Sequence, residues 1–209
     1  MRASTMTLAV AVCVLMVVSA PAALGQDEAL EEPLPEGEVA PDFQIATLEG
    51  SPVKLSDWSG QVVVLNFFIT WYRDAAGHLK VMEDLGTRYA DQRLKLLSIS
   101  LDQGETGPAV TKQFVTDQEI AHAVAADPGQ EVSGKYGVRA LPATFVIGRD
   151  GKIARYQEGY IEGDEVHLEQ MITDTLAAGA AEAAAGAEAA AEETPEPAEE
   201  EPVCHCFKQ

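Results

Sequence analysis

Apolar residues along this chain fall into short blocks, and the clearest block spans residues 62–79. The run Val62–Ile69 is rich in β-branched and aromatic residues and too short for a helix with its own apolar face, so it predicts a buried strand. Asp74 suits a helix N-cap, and an apolar stripe at helical spacing follows over Leu79–Leu85. We therefore predict a strand, a tight turn and a helix whose free N-terminus favours an anion.

The same pattern predicts the remaining elements of one folded domain. Strands are predicted at 45–48, 53–55, 94–101, 122–126, 144–147 and 153–156, and helices at 56–60, 108–118, 130–136 and 162–176. Asp150-Gly151 is the strongest turn signal in the chain and predicts a hairpin. Strands and helices alternate before this hairpin and a last helix follows it, which favours an α/β fold with a central mixed β-sheet flanked by helices.

Acidic extensions flank this domain, which we place at residues 39–176. The chain carries 34 acidic and 14 basic residues, a net charge of −20, and both extensions are acidic. Residues 26–38 are rich in Glu and Pro and predict a flexible leader. Residues 177–209 are rich in Ala and Glu and predict a low-complexity, disordered acidic tail that is partly helical at best. As a coil, residues 177–202 span roughly 28 Å, so the end of the tail reaches either back to the domain or out to a partner.

Residues 1–25 are typical of a signal peptide. Arg2 precedes an apolar core, Leu8–Val18, and small residues before Gln26 mark the expected cleavage site, with Ala20-Pro21-Ala22 as a rival. The apolar core is short for a membrane span, although an uncleaved anchor stays open as an alternative. We expect a secreted or periplasmic protein with no stable membrane insertion after cleavage. The negative charge argues against nucleic acid as a partner, since it would repel phosphates.

Cysteine is confined to the two ends of the chain. Cys13 lies in the apolar signal core, so Cys204 and Cys206 are the thiols left after cleavage. With His205 they give two soft thiolates and an imidazole, a set that suits Cu(I) or part of a zinc site completed by a second chain. The same pair could form a reversible disulfide or link two chains. These three residues are the candidate metal ligands, and the two cysteines are the candidate redox residues of the tail.

Motifs spread over residues 39–176 resemble the extracytoplasmic thioredoxin-like proteins of TlpA/ResA type, close to the redoxin and peroxiredoxin group. The matching segments are Ala40-Pro41-Asp42-Phe43, Leu55-Ser56-Asp57 with Gly60, Val63–Phe68 entering Thr70-Trp71, Tyr136-Gly137-Val138, Leu141–Ile147 and Asp150-Gly151-Lys152-Ile153. The resemblance implies a four- or five-stranded sheet, an active turn after Trp71 and a cis-proline loop at Pro142 facing that turn. It also implies thiol–disulfide exchange by a W-C-x-x-C motif at the helix N-terminus.

The chain departs from that motif at both reactive positions. Tyr72 stands at the attacking position and Ala75 at the resolving position, while His78 stands where this group often has Glu. A phenol with an ordinary pKa near 10 does not replace a thiolate, and a methyl group cannot resolve a mixed disulfide. Peroxidatic chemistry would also need a thiol in this turn. We therefore expect no dithiol chemistry at the turn after Trp71, the ancestral site of the two cysteines.

Two functions remain from the sequence. The first is a binding or accessory module in envelope thiol–disulfide or cytochrome-maturation pathways, with Trp71, Tyr72, Leu141 and Pro142 binding a protein or peptide partner and no cofactor in the domain. The alternative for Trp71 and Tyr72 is that they only cover the sheet edge. The second function is a thiol–disulfide oxidoreductase or Cu(I)-binding protein that uses the terminal Cys-His-Cys.

The other polar residues of the domain favour structural roles. Arg73 and Asp74 suit a solvated charge pair with a capping role. Asp102 suits an ordinary strand-end turn residue, with a buried acid of the kind found in the related proteins as the alternative. The histidines of the domain, His78, His122 and His167, lack ligand spacing and are interpreted as surface or packing residues.

Overall fold

The computed structural model of the protein describes residues 32–192 of the chain, with side chains described up to residue 181. The predicted signal peptide and the terminal Cys204-His205-Cys206 lie outside the described residues. The strands are β1 (Gln44–Ala46), β2 (Pro52–Lys54), β3 (Val62–Phe68), β4 (Leu94–Ser100), β5 (Val124–Ala126), β6 (Ala143–Ile147) and β7 (Ile153–Glu158). The α-helices are α1 (Ala75–Arg88), α2 (Gly107–Asp117), α3 (Glu131–Lys135) and α4 (Glu165–Glu192), and two 3₁₀ turns span Leu55–Trp58 and Ala90–Gln92.

Five strands form the central sheet in the order β5-β4-β3-β6-β7. β3, β4 and β5 are parallel, whereas β6 pairs antiparallel with both β3 and β7. β1 and β2 form a separate antiparallel hairpin. The predicted mixed sheet flanked by helices is therefore confirmed, and all seven residues of β3 are buried because this strand lies in the middle of the sheet.

Each face of the sheet carries its own apolar core. On one face, Leu65 and Phe67 of β3 pack with Tyr136 and Phe145 in a cluster of aromatic rings. On the other face, Val62 and Val64 pack with residues of α1 and α4. The two sets alternate along β3 because successive side chains of a strand point to opposite faces. The sheet therefore holds the end of β3, and the turn that follows it, in a fixed place.

Residues 32–38 are not part of the free leader that the sequence predicts over residues 26–38, and they dock on the domain together with residues 39 and 40. The backbone of Gly37 donates to Ile153 O at 2.7 Å, and Ala40 donates to Gly151 O at 2.9 Å, so this segment runs antiparallel beside β7. Leu34 donates to Tyr136 O at 3.2 Å and packs against the aromatic core. Composition alone missed this docking, because β7 offers unpaired backbone groups at the edge of the sheet and Leu34 offers an apolar anchor.

Helix α4 is also longer than predicted, since it continues past Leu176 to Glu192. Ala and Glu are good helix formers, and a helix already nucleated on the sheet needs no new nucleus to extend. Gly179 lies against the domain, because Arg149 Nη1 donates to its carbonyl at 3.2 Å. None of the helices between residues 32 and 192 is long and apolar enough to span a bilayer.

Candidate functional site

The turn after β3 is fixed by the buried carboxylate of Asp102. Asp102 follows β4 and accepts hydrogen bonds from the backbone N–H of Thr70 at 3.2 Å and from its hydroxyl at 3.0 Å. The hydroxyls of Ser100 and Thr111 also donate to this carboxylate, at 2.8 and 3.1 Å. A charged acceptor with several donors ties together the ends of two strands and the first turns of α2. Of the two alternatives, the structure therefore favours the buried acid over the ordinary strand-end turn residue, and Asp102 sets where the turn begins.

The turn exposes the first of its two aromatic residues to solvent and partly buries the second. Trp71 is 79% exposed, whereas Tyr72 is half-buried and packs against the aromatic core. The backbone N–H of Tyr72 donates to Ile69 O at 3.3 Å, and that of Ala75 donates to Tyr72 O at 3.1 Å. These bonds make the tight strand-to-helix turn that the sequence predicts.

The two positions that carry cysteines in the related motif hold side chains without redox chemistry. Tyr72 donates its hydroxyl to the backbone carbonyl of Tyr160 at 2.7 Å, and Ala75 is buried at the first position of α1. Residues 32–192 contain no cysteine. Asp74 precedes α1 as predicted, but its side chain makes no capping hydrogen bond and instead lies 3.7 Å from Arg73 Nε.

The loop facing this turn contains the predicted cis peptide bond, between Leu141 and Pro142. The carbonyl of Pro142 accepts a 2.7 Å hydrogen bond from Gly159 N, so the loop is tied to the segment that also receives the Tyr72 hydroxyl. Gly159 and Tyr160 belong to no motif in the sequence, so their place beside the turn was not predicted.

A groove of about 620 Å³ opens between the turn and this loop. Its apolar lining comes from Ile69, Trp71, Tyr72, Leu101, Val138 and Leu141, and its polar lining from Gln103, Gln130, Ser133 and Arg139. Three of the four residues predicted to bind peptide therefore share one groove. The fourth, Pro142, is buried and does not line the groove.

A chain of polar side chains runs beneath the turn and joins two histidines. Nε2 of His78 lies 2.8 Å from Asn66 Oδ1, and Asn66 Nδ2 donates to Ser98 Oγ at 3.2 Å. Ser98 Oγ in turn lies 2.8 Å from His122 Nε2. Burial lowers the pKa of both imidazoles to about 4, so both are neutral at pH 7.

This chain confirms the interpretation of His78 and His122 as packing residues, while His167 is exposed. The sequence pattern alone does not predict the hydrogen-bonded link between His78 and His122. Its signal was Asn66, a lone polar residue in an otherwise apolar buried strand, which needs a hydrogen-bonding partner.

The direction of α4 changes the expectation for the C-terminal cysteines. The helix starts beside the site, where Tyr160 Oη donates to Glu165 Oε1 at 2.8 Å, and passes Arg149 at the opposite end of the sheet. At about 1.5 Å per residue, Glu192 lies roughly 40 Å along the axis from Glu165. Residues 177–192 of the tail, predicted to be partly helical at best, therefore form a continuous helix that leads away from the groove. Among the side chains that the structure describes, no group of three could hold a metal ion.

Comparisons with known proteins agree with this geometry. The family model of the AhpC/TSA family matches residues 37–156. The chain is 36% identical over 142 residues to the thiol-disulfide oxidoreductase ResA of Bacillus thuringiensis subsp. konkukian, covering 68% of this chain and 79% of that protein. It is 31% identical to ResA of Oceanobacillus iheyensis, covering 66% and 71% respectively.

A solved structure gives the same picture of the fold. A proposed thiol:disulfide interchange protein DsbE from Chlorobium tepidum superposes with a TM-score of 0.64 at 30% identity, covering 68% of this chain and 99% of that one.

Proposed function

We propose that this chain, which belongs to the AhpC/TSA family and is a thioredoxin-like protein of the TlpA/ResA type, binds an extended peptide segment of a partner protein. In this proposal, its domain carries out no thiol exchange. In this proposal the groove beside Trp71 is the binding site. The protein is an exported accessory component of thiol–disulfide or cytochrome-maturation pathways in the cell envelope.

The chemical argument starts from what dithiol exchange requires. A thiolate must attack a disulfide, and a second thiol must release the mixed disulfide that forms. Tyr72 and Ala75 supply neither group, because a phenol forms no disulfide and a methyl group has no nucleophile. The groove needs no thiol to bind, since backbone groups and apolar side chains recognise an extended peptide.

One observation carries the proposal: the hydroxyl of Tyr72 donates to Tyr160 O at 2.7 Å. The hydroxyl at the attacking position is thereby used in a hydrogen bond within the protein, and the ring of Tyr72 lines the wall of the groove. Trp71 stands 79% exposed beside it, and exposed aromatic rings of this kind favour protein contacts.

The test is to titrate the protein with insulin B chain whose cysteines are carbamidomethylated. Tryptophan fluorescence and calorimetry measure the binding. Saturable binding that weakens about tenfold or more in Trp71→Ala and Leu141→Asp supports the proposal, since a buried anchor contributes roughly 1–3 kcal/mol. Val110→Ala is the matched control, because Val110 is exposed on α2 and does not line the groove. Binding that is absent, or equal in all variants, overturns it.

The C-terminal cysteines are the basis of a second proposal, in which Cys204, His205 and Cys206 exchange disulfides or bind Cu(I) or zinc. The course of α4 supports a role on another molecule rather than in the groove of the same chain. From Glu192 to Cys204 there are 12 residues, which span about 17–21 Å as a coil.

Insulin reduction and Cu(I) titration of the full mature chain beside Cys204→Ser/Cys206→Ser test this second proposal. Activity or metal binding that disappears in the double variant supports it. Equal behaviour of the two proteins contradicts it and leaves the groove proposal untouched.

A further inference from the structure

The segment in front of the domain leads towards the groove. Gly37 donates to Ile153 O at 2.7 Å, and Ile153 donates to Glu38 O at 2.8 Å, so the chain lies antiparallel to β7 here. Traced backwards from Gly37, it therefore runs towards the C-terminal end of β7. That end is the one that carries the cis-proline loop, because Glu158 pairs with Ala143.

The start of the described chain lies beside residues that line the groove. Leu34 donates to Tyr136 O, and the carbonyl of Glu32 approaches Gly137 so closely that a Cβ there would lie 2.0 Å from it. Residues 34 to 32 thus run past 136 and 137 in the antiparallel sense. The next residues of the loop, Val138 and Arg139, belong to the groove wall.

The sequence just before Glu32 fits the lining of the groove. Residues 26–31 read Gln-Asp-Glu-Ala-Leu-Glu, with Leu30 as their one large apolar side chain. Leu30 is two residues from Glu32, which is about 7 Å of extended chain. That reach brings a leucine to the apolar wall at Val138 and Leu141, while the acidic neighbours of Leu30 have the charge that complements Arg139.

The opposite terminus is a poorer occupant. Helix α4 passes Arg149 at the far end of the sheet and continues to Glu192. From there, 12 residues must cover roughly 40 Å back along the helix axis to bring Cys204 to the groove of the same chain, which requires nearly full extension.

We propose that residues 26–31 of the mature chain lie in the groove as an intrachain ligand, with Leu30 against Val138 and Leu141, and compete with partner peptides. The groove is then self-occupied until a partner displaces the segment. The competition with partner peptides rests on the proposed function, whereas occupation of the groove by residues 26–31 does not, because it is measured without any peptide.

The experiment uses the chain from Gln26 to Gln209 with Trp58→Phe, so that Trp71 is the single tryptophan reporter. Leu30→Ser is compared with the parent chain, and Val110→Ser is the matched control on α2. Acrylamide quenching reports the exposure of Trp71, and titration with carbamidomethylated insulin B chain gives the apparent Kd. If the segment fills the groove in about nine molecules out of ten, its release tightens the apparent Kd about tenfold.

The outcomes separate the two proposals. Stronger quenching and tighter peptide binding in Leu30→Ser, with neither change in Val110→Ser, support self-occupation. Stronger quenching with no peptide binding in any variant also supports self-occupation but overturns the peptide-binding function. Unchanged quenching and an unchanged Kd overturn self-occupation and leave the function standing. An effect of Leu30→Ser that vanishes on dilution assigns the occupant to a second copy and overturns the intrachain proposal.

Discussion

The hydroxyl of Tyr72 donates a 2.7 Å hydrogen bond to the backbone carbonyl of Tyr160, across 88 residues of sequence. This bond joins the turn after β3 to the segment that leads into α4. Gly159 in the same segment donates to Pro142 O, so the turn and the cis-proline loop share one support. In this chain a hydrogen bond of a tyrosine therefore stabilises the place where the related motif has a reactive thiol.

Tyr72→Phe tests the contribution of that bond to stability. We expect a loss of about 1 kcal/mol in the free energy of unfolding, and up to about 3 kcal/mol if the carbonyl of Tyr160 is left without a donor. Urea unfolding followed by circular dichroism gives the value. Tyr156→Phe is the matched control, because its hydroxyl bonds to the exposed carboxylate of Glu158. Equal losses in the two variants would contradict a special role for the Tyr72 bond.

Tyr72→Cys/Ala75→Cys tests whether the scaffold still supports exchange chemistry. The variant places a thiol before α1 and a second at its first position, where free N–H groups and the helix dipole favour a thiolate. We expect insulin reduction well above the dithiothreitol background, and a thiol pKa below 8.5 by absorbance titration at 240 nm.

The reactivation experiment compares the double-cysteine variant with two further proteins, and all three carry Cys204→Ser/Cys206→Ser. Tyr72→Cys alone should form a mixed disulfide and stall, because Ala75 cannot release it. The parent chain, which keeps Tyr72 and Ala75 and carries only Cys204→Ser/Cys206→Ser, should show no turnover. A double-cysteine variant that folds but stays inactive would mean that the platform has lost more than its two thiols.

The order of strands and helices was predictable because the apolar periods are clear in β3, α1 and β4 and the turn signals between them are strong. The docking of residues 32–38 was not, since Glu and Pro dominate the composition and the hydrogen bonds are made by backbone atoms. The full length of α4 does not follow from the sequence, because residues 177–192 have no apolar face and would be marginal as an isolated helix. In the site, the groove residues followed from the resemblance, whereas the partner of Tyr72 is a backbone carbonyl that leaves no trace in sequence.

Asp102→Asn tests the anchor of the turn. The carboxylate accepts from Thr70, Ser100 and Thr111, and an amide in its place turns an NH₂ group towards donors. We expect a loss of about 2–3 kcal/mol in unfolding free energy and weaker peptide binding through displacement of Trp71. Asp117→Asn, at an exposed site on α2, is the control for stability. Weaker binding without a change in the near-ultraviolet signal of Trp71 would contradict the positioning role.

Buried His78 and half-buried His122 make stability depend on pH in a defined window. Burial lowers the pKa of His78 to about 4, against the opposing charge of Asp164, and lowers that of His122 to about 4, against the charge of Glu83. The ring of Tyr160 covers His78, with centroids 4.5 Å apart. Because the unfolded chain takes up protons near pH 6.5 and the folded chain only near 4, acid favours the unfolded state between these values.

We therefore expect the free energy of unfolding to fall as pH drops from about 6.5 to 4, by of the order of 3 kcal/mol for each histidine. Urea titrations at half-unit pH steps measure this slope. His78→Gln and His122→Gln should each flatten it between these pH values, whatever their stability at pH 7, since glutamine does not titrate. His167→Gln should leave it unchanged because His167 is exposed. A slope that survives in His78→Gln/His122→Gln would assign the acid sensitivity to carboxylates and contradict the role of the histidine chain.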